Sequence, residues 1–156
     1  MVKIIYTIGT KLQLALDKII EWYMSKVNNV IRLPVEKFDL HFFKTWLYFL
    51  KPLHKLANRE MDVAAFLLKE HFELSSVISD DDILHRNVLS DHTLRKAMKE
   101  LDISLPHIKV VMSKLKHKKV IVDGKINGKL IPKINKEADS IQLLFLFDKT
   151  TKKTFK

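Results

Sequence analysis

The chain has 156 residues, 47% of them hydrophobic, which suffices for one domain with its own core and excludes a chain disordered by composition. Cysteine is absent, so disulfides and thiol chemistry are excluded, and a reducing compartment, the cytoplasm, is expected. The net charge of +10 asks for an acidic partner, but its 28 basic residues are 24 Lys and 4 Arg, a bias that an A+T-rich genome also produces, so where the charge sits says more than its sum.

Residues 1–56 carry 9 basic and 4 acidic residues, 57–89 carry 3 and 7, 90–136 carry 12 and 4, and 137–156 carry 4 and 3. The excess therefore lies mostly in one 47-residue segment, directly after an acidic one. Three parts are expected: an N-terminal helical extension (1–36), a central domain (37–136) and a C-terminal strand with a basic tail (137–156).

In 10–32, Leu12, Leu16, Ile19, Tyr23, Val27 and Val30 recur at helical spacing until Pro34. The preceding 2–8 fits either a strand or the start of that helix. Lys11, Asp17 and Lys18 break the opening apolar stretch well short of the ~20 residues of a membrane span, so neither a signal peptide nor a membrane contact is expected. Asp39 is placed to cap a helix over 40–56, which Pro52 should kink or divide. Its Phe42, Phe43, Trp46, Tyr48 and Phe49 run nearly all the way round, which predicts burial on more than one side. A third helix starts at Asn58, with Met61, Ala64 or Ala65, Leu68 and Phe72 on its apolar face. Asp80, Asp81 and Asp82 follow. Three consecutive aspartates diverge in direction, so capping a helix start suits them better than holding a metal.

Two short helices come next with the same internal spacing. Ser90 caps the first, with Leu94, Ala97, Met98 and Leu101 inward; Ser104 caps the second, with Ile108, Val111, Met112 and Leu115 inward. Only Asp102 and Ile103 separate Leu101 from the second cap. Helices joined so tightly must cross at a large angle to bury both stripes, the helix-turn-helix arrangement. In KHKKVIVDGKINGKLIPKI (116–134), Val120–Val122 and Leu130–Ile134 read as strands, and Asp123-Gly124 and Asn127-Gly128 offer tight-turn chemistry between them.

The segment LDISLPHIKVVMSKL (101–115) resembles the second half of many bacterial and phage helix-turn-helix units, with Leu101, Ile103, Ser104, Ile108, Met112 and Leu115 at the matching positions. Asp102 stands where that pattern has a turn glycine, a position aspartate tolerates because it visits the left-handed region. Met98 stands where a small residue is common. Followed at once by the hairpin, the unit resembles the winged helix-turn-helix family of small bacterial and bacteriophage DNA-binding proteins, over roughly half the chain. The wider stretch from Trp46 to Pro132 also resembles small bacteriophage proteins. The fold class implied is mainly α with a small β-hairpin (α+β), with the helical extension before it and the apolar strand after it.

With the 108/111/112/115 stripe inward, the second helix presents Leu105, Pro106, His107, Lys109, Val110, Ser113, Lys114 and Lys116. None is Arg, Asn or Gln, the residues that read guanine and adenine through paired hydrogen bonds. Lysine suits phosphate contacts, which bring affinity without sequence information. Lys118, Lys125, Asn127 and Lys129 carry the basic surface into the wing. Duplex DNA is the partner so implied, with His107, Lys109, Ser113, Lys114, Lys118, Lys125, Asn127 and Lys129 as its contacts, in a transcription or replication regulator of modest specificity.

The competing reading is a bacteriophage structural or assembly protein located in the virion. SIQLLFLF (140–147) is almost continuously apolar and calls for a cover, so homo-oligomer or other subunit contacts are expected through it and through the N-terminal helix. No catalytic, metal or cofactor residue is assigned. His41, His54, His71, His85, His92, His107 and His117 lack metal-ligand spacing, three glycines form no phosphate loop, and an enzyme is not expected.

Overall fold

The computed structural model describes residues 37–134 together with Leu14, Ala15, Lys18, Ile19 and Ile141. The chain divides into two units, Met1–Glu36 and Lys37–Lys156. In the first, Leu14, Ala15, Lys18 and Ile19 are helical and exposed. The rest of the helix expected over 10–32, the choice for 2–8, and the strand expected over 140–147 apart from Ile141 lie outside the described residues.

Helix α1 spans Leu40–Phe49, and the Asp39 carboxylate accepts the Phe42 N–H at 3.0 Å, as a cap should. Pro52 falls in the first turn of a separate short helix, α2 (Lys51–His54), so the chain divides where proline predicts. Phe43 and Leu47 are fully buried and Phe42 and Trp46 partly so, but Tyr48 and Phe49 are 50% and 42% exposed. The aromatic run is therefore covered on one side only. The reason is that α1 lies against a single large neighbour, α3.

That neighbour, α3 (Asn58–Leu74), begins after Ala57 rather than capping on Asn58, because the Glu60 carboxylate reaches back to accept the Ala57 N–H at 2.9 Å. It buries Met61, Val63, Ala64, Ala65, Phe66, Leu67 and Leu68, an almost unbroken run that covers the whole circumference. α1 and the three helices that follow all pack on it. Of these, α4 (Asp81–Val88) is capped by Asp80, whose carboxylate accepts the Ile83 N–H at 2.9 Å.

Helix α5 (Asp91–Glu100) is capped by the Ser90 hydroxyl, which accepts the Thr93 N–H. Helix α6 (Leu105–His117) starts after Ser104, which has the extended backbone of a cap without the side-chain bond. Ile108, Val111, Met112 and Leu115 are all buried, as their spacing predicts. Between the helices Asp102 sits at φ 50°, and the Ile103 N–H reaches back to the Met98 carbonyl at 3.0 Å. This is a left-handed helix stop built on aspartate instead of glycine. α6 ends the same way: Lys119 is at φ 58° and the Val120 N–H bonds to the Leu115 carbonyl at 2.9 Å.

Strands β1 (Ile121–Val122) and β2 (Lys125–Ile126) pair antiparallel, with Ile121 opposite Ile126 and Val122 opposite Lys125. The loop residues Asp123 (φ 51°) and Gly124 (φ 74°) are both left-handed, as the tightest hairpin turn requires. Leu130–Ile134 is not a strand, contrary to the sequence expectation. The hairpin has already closed on Asp123-Gly124, and Asn127 turns the chain away: its side chain donates to the Lys119 carbonyl at 3.0 Å and accepts the Lys129 N–H at 3.1 Å. Leu130 is thereby buried, and its carbonyl accepts the Trp46 indole N–H at 2.8 Å. The described domain is thus mainly helical with one two-stranded antiparallel sheet, an α+β arrangement over a single apolar core.

His54 joins α1 to the start of α3. Its Nε2–H donates to the Leu47 carbonyl at 2.8 Å, and its Nδ1 accepts the Leu56 N–H at 3.0 Å. Only the neutral ring can do both. Burial, with Lys118 and Lys51 nearby, pulls its pKa below the usual histidine value.

Two measurements check this architecture. Ile108→Ala or Leu115→Ala should cost about 2–5 kcal/mol in denaturant unfolding, against about 0.5 kcal/mol or less for Lys109→Ala; equal costs would mean a different buried face. The unfolded chain takes up a proton at His54 more readily than the folded one, so stability should fall as pH drops below about 6.5. His71, lowered by burial and by its neighbour His85, acts in the same direction. The thermal midpoint should therefore drop between pH 7 and pH 5, and drop less in His54→Gln.

Candidate nucleic-acid interface

The exposed side of α6 presents Leu105, Pro106, His107, Lys109, Val110, Ser113, Lys114, Lys116 and His117. At about 100° of turn per residue, Pro106, Val110, Ser113 and His117 form one line facing directly away from the core. Lys109 and Lys116 lie along one edge of that line, and His107 and Lys114 along the other. Of the expected contacts on this helix, all four (His107, Lys109, Ser113 and Lys114) are on the open face.

The other four expected contacts sit differently. The Lys118 ammonium bonds to Glu60 Oε2 at 2.6 Å and to the Lys55 carbonyl at 3.0 Å, inside the joint between α6 and the start of α3. Glu60 is buried, and the bond from Lys118 holds its carboxyl below the usual glutamate range. Lys114 approaches the same carboxylate at 3.8 Å but remains mostly exposed. Lys125 is held by Asp81 at 2.7 Å and Asp82 at 2.6 Å, which pushes its pKa up and ties β2 to α4. Asn127 is engaged in its turn. Lys129 alone of these four points a cation at solvent without an ion pair among the described residues.

The acidic segment of the sequence thus has an internal purpose. Glu60 takes Lys118, Glu70 takes Lys96 at 3.2 Å, and Asp81 with Asp82 takes Lys125. Much of what is left over follows α5, α6 and the hairpin, although Lys51, Lys55, Arg86 and Lys133 are exposed without an ion pair among the described residues as well. Arg95 and Lys99 on α5, Lys109 and Lys116 on α6, Lys119 at its end and Lys129 beyond the hairpin are exposed, and none forms an ion pair among the described residues. Arg95, Lys99 and Lys119 were not among the sequence-derived contacts. Applying to α5 the same phase rule used for α6 would have found the first two, since Arg95 and Lys99 lie opposite Ala97 and Leu101.

β2 is fixed from below as well. His85 is buried, its Nδ1 accepts the Ile126 N–H at 3.2 Å, and its Nε2 lies 3.3 Å from Asp81. Asp80 is a cap and Asp81 and Asp82 hold a lysine, in keeping with the helix-start reading. Comparison with known family models, curated proteins and solved structures finds no match for this chain.

This division of labour among lysines can be measured. Lys118→Met should lower stability by about 1–3 kcal/mol, because it strips a buried carboxylate of its principal partner, whereas Lys116→Ala should change it by about 0.5 kcal/mol or less. Glu60 titrates low in the fold, so the pair's contribution is complete above the ordinary glutamate range and is lost as pH falls through and below it. The acid limb of the stability profile should therefore shrink in Lys118→Met.

Proposed function

We propose that residues 37–134 form a winged helix-turn-helix that binds duplex DNA, as a phage or bacterial regulator of transcription or replication would. In this reading α5 and α6 are the helix-turn-helix pair, α6 enters the major groove, and the β1–β2 hairpin is the wing. The observation that carries it is the sorting of charge: the domain pairs Lys96, Lys118 and Lys125 with its own carboxylates, yet leaves Arg95, Lys99, Lys109, Lys116, Lys119, Lys129 and Lys133 exposed with no ion pair among the described residues. The turn at Asp102 and the buried stripe of α6 support the same reading. The phosphate-contacting set is accordingly Lys109, Lys116, Lys119 and Lys129 with Arg95 and Lys99, joined by Lys114, which is mostly exposed although it approaches Glu60. Lys118 and Lys125 act as braces.

A second reading, assembly through protein contacts, is favoured by one feature, the exposed Tyr48, Phe49 and Leu53 on α1 and α2. It places the apolar surface in use and leaves the basic one idle.

Binding to a random-sequence duplex across a salt series separates the two. Affinity should fall steeply with salt, and Lys109→Ala or Lys116→Ala should weaken it on every sequence and reduce the log–log slope by about 0.9. Lys125→Ala should leave that slope unchanged. Absence of binding at ~50 mM salt and micromolar protein would put the assembly reading first.

A further inference from the structure

The outward line of α6 carries no charge at its centre. Val110 is 54% exposed there, one turn from Pro106 and flanked on both edges by lysines and a histidine. A helix lying in the major groove puts its edges near the two phosphate rims and its outward line against the base edges. On this face the rims would meet Lys109 and Lys116 on one side and Lys114 on the other. The floor would meet an isopropyl group.

Building on the DNA-binding reading, we infer that Val110 is a specificity-determining residue that packs on the C5 methyl of thymine. Each base pair offers hydrogen-bonding groups on its major-groove edge, but only thymine offers an apolar one. No side chain of the outward line can make the two-point hydrogen bonds that read guanine or adenine, because it contains no Arg, Asn or Gln. Cytosine carries a hydrogen where thymine has the methyl, so against cytosine valine would lose that contact. The domain would therefore favour A·T-containing grooves through apolar contact, not through hydrogen-bonded readout.

The test uses the full chain and two duplexes of about 30 alternating A·T base pairs, one natural and one with deoxyuridine in place of every thymidine, which removes only the methyl groups. Wild type should bind the uracil duplex about fourfold more weakly for each methyl it covers, the value of one buried methyl group. Val110→Ser should bind the natural duplex with the affinity of the uracil one and show little or no difference between them. Retained cooperative unfolding in Val110→Ser excludes misfolding as the cause, since this side chain is outside the core. Equal wild-type binding to both duplexes overturns the methyl contact while leaving DNA binding intact. A methyl preference that survives in Val110→Ser assigns it to another residue and overturns the inference too. Failure to bind either duplex at ~50 mM salt overturns the DNA-binding reading itself, and this inference with it.

Discussion

Everything in the described domain hangs on helix α3 being buried around its full circumference. A helix of that kind cannot leave any side to water, so α1, α4, α5 and α6 must all find places on it. Ala64 and Ala65 let the neighbours come close, while Phe43, Phe66, Ile108 and Leu115 fill the space between. Two carboxylates ride into this environment, Glu60 at the first turn and Glu70 near the last, and both are buried. Each meets a cation there, Glu60 from Lys118 just past α6 and Glu70 from Lys96 of α5. The orientation of the α5–α6 pair is therefore fixed by apolar packing and checked by ion pairs to α3, Lys69–Glu100 among them.

The same arrangement explains why net charge by segment is an incomplete guide to a binding surface. Residues 57–89 are acidic and 90–136 basic, and the two segments are folded against each other. Part of the basic excess is cancelled inside the domain. What remains is smaller but better placed, since it is confined to the outer sides of α5 and α6 and the loops that follow them.

Local features were legible because their physics is local. Caps at Asp39, Asp80 and Ser90 act within one helical turn, proline acts on its own backbone, and a three-and-four spacing implies its own face. The buried stripe of α6 and the left-handed Asp102 followed from such signals. The misses were long-range. Lys118 meets Glu60 across 58 residues and Lys125 meets Asp81 across 44, and no spacing rule links such pairs. Tyr48 and Phe49 looked like core because aromatics usually are, but how many sides of α1 are covered is decided by the number of its neighbours. At Leu130–Ile134 two turn signals competed for one hairpin, and the earlier one closed it.

The chain reverses direction with little help from glycine. Lys55, Asp102, Lys119 and Asp123 all sit at positive φ, three of them just past a helix end and one in the hairpin turn. Each conformation costs about 1–2 kcal/mol relative to the right-handed region. Glycine would remove that strain but would also add freedom to the unfolded chain, which folding must then take away. The domain has thus settled on corners that are strained when folded and restricted when unfolded. A denatured ensemble with stiffer corners has fewer wrong turns to explore, and the four sites form a reserve from which evolution could raise stability by single substitutions without touching the core.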